Sequence, residues 1–160
     1  MEQPWSEKIR LFYLANRQAL YTYALTLTGD SAMAEDAIHT VFAAWLARRS
    51  PPRELRPYVF RSVRHAALDG LKARTRRNGT ESIFKDEPGA DPHVALAMDD
   101  ALAELGDDER ETIVLKIYGG LTFKEIAHAR DESLNTAASR YRRGLAKLAE
   151  LLKETPQGRP

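Results

Sequence analysis

Thr122-Phe123-Lys124-Glu125-Ile126-Ala127-His128-Ala129-Arg130-Asp131-Glu132-Ser133-Leu134-Asn135-Thr136-Ala137-Ala138-Ser139-Arg140-Tyr141-Arg142-Arg143 is the stretch on which the fold turns. Thr122 with Glu125 three residues later forms a capping box: the hydroxyl takes a first-turn backbone N–H and the carboxylate reaches back to the cap's own N–H. The pattern predicts a short helix over 123–130, a turn at 131–133 and a last helix from about Leu134 to Lys153. Two helices of this size joined by so short a turn make a helix-turn-helix. In that motif the second helix lies in the DNA major groove with its N-terminal residues at base edges. That end carries Asn135, Thr136, Ala138 and Ser139, then Arg140, Arg142 and Arg143. Asn can bond adenine twice, Thr can touch a thymine methyl, and Arg can reach guanine or phosphate. Small polar residues followed by arginines suit base contacts followed by backbone contacts. An amphipathic helix with solvated arginines is the plainer alternative.

Working upstream, Gly119-Gly120 ends a segment whose stripe is Ile113, Val114 and Ile117. Gly106-Asp107 opens it, with Asp107 the expected N-cap and Asp108 and Glu109 in the first turn, where acids suit the helix dipole. Helical pattern covers 94–105 before that. Residues 77–93 have no periodicity and hold turn signals such as Asn78-Gly79, Pro88-Gly89 and Asp91-Pro92, so they read as a flexible linker. The N-terminal part carries three helices. Residues 5–28 space Trp5, Ile9, Phe12, Asn16, Leu20, Tyr23 and Leu27 by threes and fours. Gly29-Asp30 breaks them, and Asp30 or Ser31 caps a helix striped by Ile38, Val41, Phe42, Trp45 and Leu46, ended by Ser50-Pro51-Pro52. A third, from about Glu54 to Thr75, turns Leu55, Val59, Val63, Ala66, Ala67 and Leu71 inward. The expected fold is all-α: two small helical domains, 1–76 and 94–153, joined by 77–93, with no strand pattern.

Composition excludes several classes. With 43% hydrophobic residues the 160-residue chain can build packed cores, and it holds no cysteine for disulfides or thiolate metal sites. No apolar run approaches a membrane span of ~18 residues or more, and Met1-Glu2-Gln3-Pro4-Trp5 lacks the basic start and apolar stretch of a secretion signal. No membrane insertion and a cytoplasmic location are expected. His39, His65, His93 and His128 have no metal-ligand spacing. There is no Gly-rich phosphate loop and no nucleophile elbow, so no cofactor, no metal and no catalysis are expected.

The formal net charge of +1 hides segregation. Residues 53–77 carry eight basic side chains against two acidic, a net +6; residues 81–108 carry nine acidic against one basic, a net −8; residues 136–153 carry five against one, a net +4. Two basic blocks around an acidic middle suit a polyanion, though solvated helix faces would read the same way.

Two stretches resemble a known family. Ala34-Glu35-Asp36-Ala37-Ile38-His39-Thr40-Val41-Phe42-Ala43-Ala44-Trp45, followed by Arg56-Pro57-Tyr58-Val59-Phe60-Arg61-Ser62-Val63-Arg64-His65 and Asp69, resembles region 2 of the extracytoplasmic-function (ECF) sigma factors, the smallest members of the sigma-70 family. Residues 105–148, with Arg110-Glu111, Gly120-Leu121-Thr122-Phe123-Lys124-Glu125-Ile126-Ala127 and Asn135-Thr136-Ala137-Ala138-Ser139-Arg140, resemble region 4. The resemblance covers roughly residues 8–152. It implies an alternative sigma factor that binds core RNA polymerase, delivers it to a two-part promoter and helps open the duplex. Asp36, His39 and Thr40 would face polymerase, with Phe42 and Trp45 in the core. Arg61, Arg64, His65 and Lys72 would face the promoter element near the start site, with Arg74, Arg76 and Arg77 on phosphates, and the loop 48–56 lies where the family captures an unstacked base. Asn135, Thr136, Ala138, Ser139, Arg140, Arg142 and Arg143 would read the minus-thirty-five element. Leu115, Ile117, Tyr118 and Leu121 are candidates for the groove that takes the polymerase flap tip, and are equally explained as core. An anti-sigma partner clamping both domains is implied, as is a monomeric free chain.

The chain departs from the family pattern at the turn. Charged Arg130 and Glu132 stand where apolar residues are usual, Asp131 where Gly is usual, and Ala137 where Val is usual. Asp takes the left-handed conformation less easily than Gly, and each lost buried apolar group would remove ~1.5–3 kcal/mol. Either the turn packs differently or the domain is soft. That departure sets up the alternative of a sigma-like decoy for an anti-sigma protein with degenerate DNA binding; the arginines after Ser139 and the +6 block argue against it. A dimeric one-component helix-turn-helix regulator is a third reading, which predicts palindrome binding without polymerase.

Overall fold

A computed structural model describes residues 4–48, 52–78 and 97–154, which are helical nearly throughout and form no strand among the described residues. The helices are α1 (Trp5–Thr28), α2 (Ser31–Leu46), α3 (Leu55–Asn78), α4 (Ala97–Ala103), α5 (Asp107–Ile113), α6 (Phe123–Arg130) and α7 (Leu134–Glu154), and α5 continues into a π-helical turn, Val114–Tyr118. Of the linker expected at 77–93, residues 79–93 lie outside the described residues, as do Ser50, Pro51 and the tail from 155.

Local chemistry sets the boundaries. Gly29 takes φ 69°, the left-handed conformation that closes α1, and its N–H donates to Leu25 O. The Asp30 carboxylate then accepts from Met33 N at 3.0 Å and caps α2. That helix stops at Leu46, short of the expected Ser50-Pro51-Pro52, with the Ala47 N–H shared between the carbonyls of Ala43 and Ala44. A proline disfavours helical backbone before it, so the last turn closes ahead of the proline pair. The cap of α5 is Gly106 rather than Asp107, which is instead the first helical residue, beside Asp108 and Glu109.

α1, α2 and α3 wrap a core of Ile9, Leu20, Tyr23, Ile38, Val41, Phe42, Trp45, Val59, Phe60 and Val63. Tyr13 meets the Phe42 ring edge-on at 5.1 Å. The Trp5 indole N–H donates to Trp45 O at 2.7 Å, and that of Trp45 to Ser62 Oγ at 3.2 Å. Buried indoles thereby keep their donors satisfied. Leu46, expected in the stripe of α2, is 50% exposed.

The C-terminal helices close onto this bundle rather than standing apart from it. Val114, Leu115, Leu121, Ile126 and Ala127 belong to the same apolar cluster as α1–α3, while Ala101, Leu102, Leu105, Ile113 and Leu148 form a smaller one where α4 meets α5 and α7. α5 and α7 approach closely at Gly144, where a Cβ would come within 3.1 Å of Ile113 Cγ1. The expected stripe of Ile113, Val114 and Ile117 holds for the first two only. Gly119 N bonds Val114 O, five residues back, and this wider turn shifts the helical phase. Leu115 therefore points inward, fully buried, and Ile117 is 53% exposed.

Candidate nucleic-acid interface

The helix-turn-helix is built by its caps. Thr122 Oγ1 accepts from Glu125 N at 3.1 Å while Glu125 Oε1 accepts from Thr122 N at 2.9 Å, so the capping box is complete. At the other end of α6, Asp131 takes φ 57°, its N–H bonds His128 O, and the next N–H, of Glu132, bonds Ala127 O at 3.0 Å. This is a Schellman closure with Asp in the left-handed position that glycine fills most easily. The Ser133 hydroxyl accepts from Thr136 N at 3.1 Å and starts α7.

The charged turn is absorbed by a network. Arg130, 7% exposed, gives one nitrogen to the Glu111 carboxylate, a second to Asp108 Oδ1 at 2.7 Å and a third to Glu132 Oε1 at 3.2 Å. Arg140 also reaches Glu132 Oε1, at 2.6 Å. Glu111 is 5% exposed and accepts twice more, from the Tyr23 hydroxyl at 2.5 Å and from Arg64 Nε at 2.6 Å. Buried charges are tolerable only when paired and hydrogen-bonded in this way. Burial lowers the Arg130 pKa, but the Glu111 charge, the Asp108 hydrogen bond and Glu132 outweigh it, so the value ends above the ordinary one. The hydrogen bond from Arg130 holds the Asp108 carboxyl below its usual pKa. Burial first, and then the Glu111 charge, push the Tyr23 hydroxyl well above the ordinary phenol value. The turn thus packs differently from the family pattern, with ion pairs in place of apolar groups.

The sequence-predicted residues fall into separate settings. Asp36, His39 and Thr40 are all exposed along the outer edge of α2. Asp36 and Thr40 line a shallow groove against α3 with Ser62, His65 and Asp69, whereas His39 lies toward α1 beside Tyr13 and Arg17. On α3, His65, Lys72, Arg76 and Arg77 are open to solvent. Arg74 is bound to α2 instead, with Nη1 at 3.0 Å from Asp30 Oδ2. Arg61 and Arg64 face the C-terminal helices: Arg61 Nη1 lies 2.6 Å from Asp131 Oδ1, and Arg64 is held by Glu111. On α7, Asn135, Arg142 and Arg143 are exposed, Thr136, Ala138, Ser139 and Arg140 half-buried, and Ala137 fully buried. Leu115 and Leu121 are core, while Ile117 and Tyr118 are exposed.

Sequence reasoning missed Tyr23, Asp108 and Glu111 as site residues, together with Arg56, whose Nη2 donates to Gly120 O at 2.9 Å, and Tyr58, whose ring meets His128 edge-on at 4.4 Å. One signal was available: Glu111 precedes Thr112-Ile113-Val114-Leu115 in an otherwise buried run. A lone carboxylate there needs a buried partner. Among the described residues no His, Cys, Asp or Glu cluster could hold a metal ion, and no helix is long and apolar enough to cross a membrane.

Comparisons with known proteins agree on a family. The model of Sigma-70 region 2 matches residues 12–77 and that of Sigma-70, region 4 matches 95–148. Curated relatives include the RNA polymerase sigma factor CarQ of Myxococcus xanthus, 32% identical over 78% of each chain, and the ECF RNA polymerase sigma factor SigL of Mycobacterium tuberculosis, 29% identical over 91% of this chain and 89% of that one. Among solved structures, the sigma factor RpoE of Bartonella quintana, in complex with the anti-sigma factor NepR, superposes with TM-score 0.77 at 23% identity, covering 93% of this chain and 99% of that one. CnrH, in complex with the cytosolic domain of CnrY, gives 0.64 at 22% identity, covering 92% and 88%. The two structures share the fold.

Proposed function

The chain belongs to the sigma-70 family as an ECF-type alternative sigma factor directing promoter recognition, and we propose that it divides this work between residues 1–76 and 94–153, joined by 77–93. The observation that carries the reading is the presence of both family regions, in order, in one short chain. In this reading the exposed edge of α2, with Asp36, His39 and Thr40, meets core polymerase. The basic face of α3, with Arg61, Arg64, His65 and Lys72 and then Arg74, Arg76 and Arg77, meets the element near the start site. α7 enters the major groove of the upstream element with Asn135, Thr136, Ala138 and Ser139 at base edges and Arg140, Arg142 and Arg143 toward phosphates.

Exposure of Asn135, Arg142 and Arg143 supports the last assignment, and exposure of all three α2 residues supports the first. The free chain acts as a cytoplasmic monomer and, like RpoE and CnrH, is held by an anti-sigma partner. Binding of labelled protein to core polymerase tests the α2 edge. Asp36→Arg is expected to weaken it by about tenfold or more, which corresponds to 1.4 kcal/mol or more. Unchanged affinity in a folded variant would move the contact elsewhere.

A further inference from the structure

Glu111 occupies a singular place in the molecule. It sits on α5, yet two of its donors, the Tyr23 hydroxyl and Arg64 Nε, come from α1 and α3, and the remaining one, Arg130, from α6. Around it the same two groups of helices meet again: Arg61 with Asp131, Arg56 with Glu125 and Gly120 O, and Tyr58 with His128. We propose that Glu111 is an interdomain latch, which shuts the helix-turn-helix against α3 and keeps Arg61 and Arg64 from DNA until polymerase draws the two regions apart.

The network is asymmetric in a way that suits a latch. When the regions separate, Arg130 keeps Glu111, Asp108 and Glu132, because all four lie on the C-terminal helices. The C-terminal region therefore retains no unpaired buried charge, the condition that would otherwise unfold it. Only the Tyr23 hydroxyl and the arginines of α3 are released, and these are groups that water or phosphate can take over. Separation also uncovers Leu115, Leu121 and Ile126, which pack with the N-terminal core. Their exposure to water opposes opening, so the isolated chain stays shut and needs a partner that covers those surfaces. The roles of Arg61 and Arg64 as DNA contacts rest on the function proposed above; the latch itself rests on the geometry alone.

The chain has no cysteine, so an Ala15→Cys, Lys147→Cys background, at exposed positions on α1 and α7, accepts a donor and acceptor dye for single-molecule energy transfer. Without a partner, one high-transfer population is expected, moving to low transfer on adding core polymerase. Adding Tyr23→Phe and Glu111→Gln is expected to raise the low-transfer fraction about tenfold, equivalent to 1.4 kcal/mol, and to increase retention of promoter DNA without polymerase. A low-transfer population already dominant in the starting protein would overturn the latch. So would an unchanged high-transfer population in the variant with its helix content intact. If that variant loses its helices, Asp131→Asn carries the test, since Asn also tolerates the left-handed turn; an unchanged distribution there counts against the latch. Opening without gain in DNA retention leaves the latch standing and refutes the assignment of Arg61 and Arg64 to DNA.

Discussion

Phe60 and Arg130 mark the centres of two differently made regions. Around Phe60 lie Tyr23, Val59, Val63 and the aromatic and aliphatic side chains of α1 and α2, with the Tyr23 ring 5.8 Å away. Around Arg130 lie the carboxylates of Glu111, Asp108 and Glu132, and Arg140 beyond them. Apolar packing is non-directional and can close a core by itself. A buried charge network is satisfied in one arrangement only, and a missing member leaves its partner stranded in a poor solvent. The comparison teaches that the C-terminal helices are fixed less by how much they bury than by which groups meet.

The largest effects test that contrast directly. Phe60→Ala is expected to cost about 3–5 kcal/mol through an unfilled cavity. Glu111→Ala is expected to cost about 3–5 kcal/mol for a different reason, since it strips Arg130 of a buried partner. Chemical denaturation of both variants measures this, and a Glu111→Ala cost below about 1 kcal/mol would erase the distinction. Thr122→Ala removes one side of the capping box and should cost about 1 kcal/mol, read in the same experiment as a shifted midpoint at unchanged slope.

Alkaline titration offers a finer probe. The folded Tyr23 hydroxyl holds its proton above the pH at which the unfolded phenol releases it. Its contribution is therefore complete below about pH 10 and declines as pH rises further. Thermal melts should lose stability over that window, and Tyr23→Phe should flatten the slope; equal slopes would detach Tyr23 from the network. The smallest effect is expected of Asp131→Gly. Relief of the left-handed backbone offsets a half-exposed bridge to Arg61, leaving the stability within about 0.5 kcal/mol of the parent.

Much of this was legible in the sequence. The periodicity of residues 5–28 and the capping box at Thr122 place α1 and α6 to the residue, because both signals are local. The π-helical turn was not legible, since Ile117 fits an ideal stripe and only a hydrogen bond five residues back shifts its phase. Nor was the pairing of Glu111 with Tyr23 and Arg64, 88 and 47 residues away, because no local rule relates side chains at that separation. The charges at 130–132 read as lost packing only while their partners are unknown. Arg61 and Arg64 were legible as cations, but the acids they face in the closed chain were not.

Run-off transcription with core polymerase on a pool of genomic promoters tests the central claim most directly, comparing the parent with an Asp36→Arg, His39→Ala variant. The account predicts transcripts that share a two-part upstream motif and disappear with the variant. No transcripts from a folded parent protein, or the same transcripts from the variant, would contradict it.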